Sequence, residues 1–279
     1  MSRRVVFIAS LGHSGSTLLD LILGSHSAVV GLGEVGRSAA PAGHGPPGDP
    51  QACSCGQPAA ACDFWGTVLP RLAAEPSASD RRRYEIVLDV FGEIFGPEKI
   101  PVDSSKYLHW LGSLAGLEGV DLRVLFLLRD VRSFTISEID NVDRKRAAGR
   151  AYRGTGAFAA FRRWHAENLE TARHLADSGL PCLRIGYEEL CLAPERIVPR
   201  ICHFLDIPHE PAMLEFAGSS SHVLRGNRMR HDPARRKVSY DPRWLVRREW
   251  MWPALLCPRI MRFNREQVYS NGLIEDWGR

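Results

Sequence analysis

The stretch that most restricts how this chain can fold is residues 5–26, V-V-F-I-A-S-L-G-H-S-G-S-T-L-L-D-L-I-L-G-S-H. Its short apolar opening predicts a buried parallel strand. The small and polar residues that follow predict a turn, and the apolar run closed by Gly24 predicts a helix. Strand, loop and helix in that order leave the amides of Gly15, Ser16, Thr17 and Leu18 at a helix N-terminus. They face one concavity, with the positive end of the helix dipole behind them. An anionic group fits there. A nucleotide hydrolase would need a lysine just before the Ser/Thr of this loop to reach the terminal phosphates. Ser16 takes that place ahead of Thr17, so the device that manages a γ-phosphate is missing.

The rest of the chain alternates strand and helix signals. Residues 29–34 read as a short strand or turn that delivers a carboxylate, Glu34. Residues 39–61, with five prolines among many alanines and glycines, read as a long loop without regular elements. Tyr84, Val87, Leu88, Phe91, Ile94 and Phe95 fall at helical spacing, with Ser79 or Asp80 as cap. Residues 100–103 predict a brief strand, after which Ser104, Ser105 and Lys106 form a turn at its end. Residues 122–128 are the most strand-like run, and Arg129 follows at the carboxyl end, where open parallel sheets place their ligands. A helix over 158–178, a strand over 181–187 and a helix ending at Leu205 complete the pattern. The alternation implies an α/β chain of three layers, a mostly parallel central sheet with helices on both faces. We expect one domain over residues 1–279, with a loop insertion at about 39–61 and a C-terminal cap at about 231–279.

His13-Ser14-Gly15-Ser16-Thr17 resembles the 5'-phosphosulfate-binding loop of sulfotransferases that use 3'-phosphoadenosine 5'-phosphosulfate (PAPS), usually written Arg/Lys-Ser-Gly-Ser/Thr-Thr. His13 replaces the permanently charged residue with one that titrates near neutrality. Arg129 and, eight positions on, Ser137 resemble the family's pair of 3'-phosphate ligands. Two helical turns bring the serine back to the face from which the arginine reaches, and a guanidinium gives phosphate bidentate, charge-assisted bonds. Tyr187-Glu188-Glu189-Leu190 resembles a recurrent Tyr-Glu-Asp-Leu segment of structural character. Gly226-Asn227-Arg228-Met229-Arg230 resembles the Gly-Asn-x-x-Arg loop that closes over the nucleotide in bacterial members.

The four motifs span about residues 4–230 in order. The resemblance implies a P-loop-like sulfotransferase fold that moves the sulfonate of PAPS to an acceptor hydroxyl and releases 3'-phosphoadenosine 5'-phosphate (PAP). It implies that Ser14, Gly15, Ser16, Thr17, Leu18, Arg129, Ser137, Gly226, Asn227 and Arg230 hold the nucleotide. His13 and Lys106 would flank the sulfonate, and Glu34 would serve as general base, with His109 and His222 as rivals. In tyrosylprotein and several bacterial sulfotransferases a glutamate takes that role one position nearer the loop. No metal is required, because a sulfonate carries less charge than a phosphoryl group. The acceptor would be a small molecule, a carbohydrate, a lipid or a tyrosine. A nucleotide-dependent kinase and an inactive PAP-binding module are the competing readings.

A net charge of +4 argues against a nucleic-acid partner yet allows a basic pocket for a multiply anionic nucleotide. No run reaches the roughly 20 apolar residues of a membrane span. Arg3, Arg4 and the apolar run after them imitate a signal peptide, but the run ends at His13 and Ser14 without a cleavage site. Seven cysteines, an odd number, disfavour a paired framework and point to a reduced, cytoplasmic chain. Cys53, Cys55 and Cys62 are close in sequence. Zinc there would need a fourth ligand, His44 or Asp63, and free or structural thiols are favoured. Cys182, Cys191, Cys202 and Cys257 read as core filling.

Overall fold

The structure, a computed structural model, describes residues 3–40, 52–149, 156–216, 221–226 and 237–269. Five strands form its sheet: β1 (Arg3–Ser10), β2 (Val29–Gly31), β3 (Ile100–Lys106), β4 (Val120–Leu128) and β5 (Cys182–Gly186). They lie in the order β2-β3-β1-β4-β5, and every pairing is parallel. Between them run α1 (Ser16–Leu23), α2 (Val35–Ala39), α3 (Trp65–Ala74), α4 (Asp80–Phe95), α5 (Leu108–Ala115), α6 (Val131–Ala147) and α7 (Ala157–Ser178). After β5 come α8 (Tyr187–Leu192), α9 (Pro194–Phe204), α10 (Met251–Leu256) and α11 (Pro258–Val268).

The layers follow from period two along β1. Val5, Phe7 and Ala9 face one core with Phe91 of α4, Leu111 of α5, Phe134 of α6 and Trp164 of α7. Val6 and Ile8 face the other, with Leu19 and Ile22 of α1 and Ile197 and Ile201 of α9. Strands buried on both faces in this way read as unbroken apolar runs. The three-layer α/β expectation therefore holds, and the sheet is wholly parallel.

From β1 the chain steps out to β2, returns to β3, then crosses to β4 and β5. Its direction of progress reverses at β1, and crevices that take ligands open at the carboxyl ends of the strands at such a reversal. Lys106 pairs with Ala9, Leu127 pairs with Ser10, and the 11–15 loop leaves between them.

Several local expectations need correction. β3 does not stop at Asp103 but runs through Lys106, because the Ser104 N–H bonds the Gly33 carbonyl at 2.8 Å and keeps the segment paired. Part of the proline-rich stretch is ordered: Ala52 and Pro58 form an antiparallel bridge, and Ala59–Ala61 is a 3-10 turn. Residues 41–51 lie outside the described residues. Helix α3 had no counterpart in the sequence reading. Cys191 and Cys202 are buried as expected, whereas Cys182 is exposed and Cys257 half-buried. Among the described residues no helix is long and apolar enough to cross a membrane.

Candidate functional site

The loop between β1 and α1 is held open by glycine. Gly15, at the cap of α1, has φ +94, and a Cβ there would stand 2.4 Å from the ring of Tyr187. No side chain caps α1, and its first intrahelical bond runs from the Leu19 N–H to the Gly15 carbonyl at 3.1 Å. The amides ahead of Leu19 therefore face the mouth of the loop by helix geometry. Ser14, Ser16, Thr17 and Leu18 are buried around it. Among the described residues His13, Lys106 and Asp206 are the non-glycines with positive φ, at 69°, 77° and 51°. Such a backbone costs on the order of 1–3 kcal/mol and persists where its surroundings hold it. Two of these three are candidate site residues.

On the β3 side, Glu34 ends the turn after β2. Its Oε1 receives the Lys106 ammonium at 2.5 Å and its Oε2 the Arg37 guanidinium at 2.9 Å. Burial alone would raise the Glu34 carboxyl, but Lys106 and then Arg37 outweigh it and hold it below the ordinary glutamate range. Two carboxylates that sequence reasoning passed over lie in the same region. Asp20 of α1 accepts the Gly33 N–H at 3.1 Å, and burial pushes it up to about 7. Asp103 accepts from the Tyr84 hydroxyl at 2.7 Å, the Ser105 N–H at 2.8 Å and the Val35 N–H at 3.2 Å; burial raises it to about 6. The available signal was their placement, one carboxylate each within an apolar helix and an apolar strand. Both fix the Gly33–Val35 turn that carries Glu34.

On the β4 side, Arg129 is bound on all three nitrogens. Nε donates to Ser133 Oγ at 2.8 Å, Nη1 to the His13 carbonyl at 3.0 Å and Nη2 to Asp241 Oδ2 at 2.8 Å. Its guanidinium lies 4.6 Å from the Tyr187 ring centroid. Ser137 is buried two turns along α6. Asp241, from the C-terminal segment, also pairs with Arg243 at 2.7 Å. Burial would raise the Asp241 carboxyl, but Arg243 and Arg129 hold it far below the ordinary range. The His13 ring is 3.6 Å from Glu138. Burial first, with Arg129 adding to it and Glu138 opposing, holds the His13 pKa below its ordinary value, so the free protein favours neutral imidazole at pH 7.

Residues 221–226 close a third side. A Cβ on Gly33 would meet Val223 at 2.5 Å, and one on Gly226 would meet Thr17 Oγ1 at 3.2 Å. The Arg225 carbonyl accepts the Glu34 N–H at 3.3 Å. Asn227 and Arg230 lie outside the described residues. The rival bases sit elsewhere: His109 is exposed beside Tyr107 and Trp110, and His222 turns its Nδ1 to Cys53 and Cys62. The structure thus joins His13 to Arg129, Lys106 to Glu34, and Gly226 to Thr17.

No protein-family model matches this chain, and no curated protein is similar to it in sequence. Among solved structures it is similar to the sulfotransferase domain from the curacin biosynthetic pathway, with 18% identity over 92% of this chain and 98% of that one and a TM-score of 0.51. It also aligns with the sulfotransferase domain of the Synechococcus PCC 7002 olefin synthase at 16% identity, covering 92% and 95% of the two chains with a TM-score of 0.48. A sulfotransferase from Mycobacterium tuberculosis aligns at 15% identity over 77% and 71%, with a TM-score of 0.48. The likeness to the curacin-pathway domain is one of fold: the chain has the three-layer, P-loop-like fold of a bacterial sulfotransferase domain.

Proposed function

We propose that this protein transfers the sulfonate of PAPS to an acceptor hydroxyl and releases PAP. The observation that carries the reading is the bond from Arg129 to the His13 carbonyl. It joins the anion-receiving loop to the arginine expected on the 3'-phosphate, at the reversal point of the sheet. Two features fit a nucleotide of this kind. Gly15, at φ +94, lets the loop turn tightly against the Tyr187 ring at the start of α1, and the outer nitrogen of Arg129 already donates to an anion, the Asp241 carboxylate.

In this reading Ser14 and the amides of Gly15, Ser16, Thr17 and Leu18 take the 5'-phosphosulfate, while Arg129 and Ser137 take the 3'-phosphate. Gly226 lets the chain pass close to Thr17 on its way to Asn227 and Arg230, which would cover the nucleotide. The acceptor oxygen forms its bond to sulfur as the bond from sulfur to the phosphate oxygen breaks, and the electron pair leaves on PAP. The acceptor's proton goes to Glu34, which its low pKa keeps ionised at neutral pH. Lys106 neutralises Glu34 until it turns its charge to the sulfonate oxygens, and His13 adds its own when protonated. The chain would act on a small-molecule, carbohydrate or lipid hydroxyl, in the cytoplasm.

The test combines thermal shift with turnover. PAP without metal should stabilise the protein, and mass spectrometry after incubation with PAPS and a panel of hydroxyl acceptors should show sulfated product. Stabilisation by ATP with magnesium and not by PAP would replace this reading with a kinase. PAP binding without product from any acceptor would leave an inactive binding module.

A further inference from the structure

Cys53, Cys55, Cys62 and His222 bring their ligand atoms together, all within 4.8 Å of one another. Cys62 Sγ is 3.2 Å from His222 Nδ1 and 3.6 Å from Cys53 Sγ, and Cys53 Sγ is 3.9 Å from the same nitrogen. A tetrahedral zinc ion with Zn–S of about 2.3 Å and Zn–N of about 2.0–2.1 Å sets its ligand atoms about 3.5–3.8 Å apart. The three separations of 3.2, 3.6 and 3.9 Å bracket that spacing, and all of its cysteines are free thiols. Nearby in sequence, His44 and Asp63 are the candidates for a fourth ligand. The structure supplies one from 160 residues beyond Cys62.

We propose that these four side chains hold a structural zinc ion. The local fold is arranged around them. The Gly56 N–H bonds the Cys53 carbonyl at 2.9 Å, the Cys53 N–H bonds the Gln57 carbonyl at 2.8 Å, and Gly56 has φ +90. This tight turn carries Cys53 and Cys55. The Trp65 N–H points at Cys62 Sγ at 3.4 Å, and the Trp65 indole N–H bonds the His222 carbonyl at 2.5 Å. An amide aimed at sulfur is an outer-shell bond of the kind metal ligands carry, and the indole bond fixes the backbone that presents His222. Mixed sulfur and nitrogen donors select zinc. With all four positions filled by protein the site is closed, which is the mark of a structural ion. Cys55 is exposed, so the ion has an entry path.

The ion would tie three distant stretches together. Ser54 bonds the Val223 and Ser221 carbonyls through its N–H at 3.1 Å and its hydroxyl at 2.6 Å, the His222 N–H bonds the Gly31 carbonyl at 2.7 Å, and the Arg225 carbonyl reaches the Glu34 N–H. Zinc would therefore fasten the 52–62 loop to the segment that backs Glu34. It stands apart from sulfonate transfer and does not depend on that reading.

The test is metal analysis of the untagged full chain from zinc-supplemented medium, purified without chelator. One zinc per chain is expected, lost in Cys62→Ser and His222→Ala and kept in Cys182→Ser. Because Cys62 is buried and its loss can prevent folding, Cys55→Ser at the exposed corner gives a second reading: zinc should pass to a chromophoric chelator at least about 10-fold more readily. Cobalt(II) added to the metal-free wild type should give a thiolate-to-cobalt charge-transfer band. Wild-type protein without zinc and without that band would overturn the proposal, as would full zinc retention in both Cys55→Ser and His222→Ala.

Discussion

The two flanks of β1 hold their charges in different ways. On the β3 flank the charged groups are paired locally. Glu34 lies between Lys106 and Arg37, and its turn is fixed by Asp20 and Asp103, all within the first 106 residues and nearly all buried. On the β4 flank the outer nitrogen of Arg129 is satisfied by Asp241, 112 residues away on the C-terminal segment and in part open to solvent. Desolvation makes a half-broken buried pair costly, so the first flank is preassembled. The second is closed by one exchangeable carboxylate. On the proposed function, the preassembled flank performs the transfer and the exchangeable one admits the nucleotide.

The sharpest way to break that division is Glu34→Gln. Loss of a general base should cut single-turnover rate by roughly 100-fold to 10,000-fold with PAP affinity unchanged, since Glu34 is not among the proposed nucleotide contacts. Near-normal turnover would remove Glu34 from the reaction. Equal losses in rate and PAP affinity would show that the flanks are not separate.

Arg129→Ala is the counterpart. Removing a buried guanidinium from a phosphate should cost about 2–3 kcal/mol, or roughly 30- to 150-fold in PAP affinity by calorimetry. Arg129→Lys should recover only part of it, because a point charge lacks the planar fork. Unchanged affinity in the alanine variant would take the 3'-phosphate away from this flank.

The flanks were unequally legible in the sequence. The fold followed from residues 5–26 and 122–128, where apolar runs of strand and helix length leave few alternatives. Glu34, Lys106, His13 and Arg129 could be named because each stands at the end of a strand. Their pairing could not, since the Lys106–Glu34 contact depends on β2 and β3 lying side by side and on a positive φ at Lys106. Asp20 and Asp103 were hidden in apolar runs, where a carboxylate reads as an interruption until its amide and hydroxyl donors are seen. The partners that give Asp241 and His222 their roles had no local signal, because Arg129 and Cys62 lie 112 and 160 residues away.

Asp241→Asn tests the exchangeable contact directly. Arg243 and Arg129 keep this carboxylate ionised throughout the working pH range, so a 3'-phosphate must displace a full negative charge. A partly exposed ion pair is worth up to about 1 kcal/mol, and its removal should tighten PAP binding by about 5-fold or less, with little change in the transfer step. Weaker PAP binding in the variant would mean that Asp241 orders Arg129 for the ligand rather than competing with it.

A comparably small effect is expected at His13, where the flanks meet. Burial holds its pKa below 6.5 in the free protein, and an anion bound in the loop would raise it again by favouring the charged imidazole. The pH dependence of kcat/KM reports the free enzyme and that of kcat the complex. If protonated His13 assists the sulfonate, kcat/KM should therefore begin to fall with rising pH below 6.5, and kcat should fall at a higher pH. His13→Arg carries a permanent charge and should flatten both limbs, with a difference from wild type of less than about tenfold at pH 7. Coincident wild-type limbs would place the bound anion away from His13, and an unaltered profile in the arginine variant would assign the titration to another group.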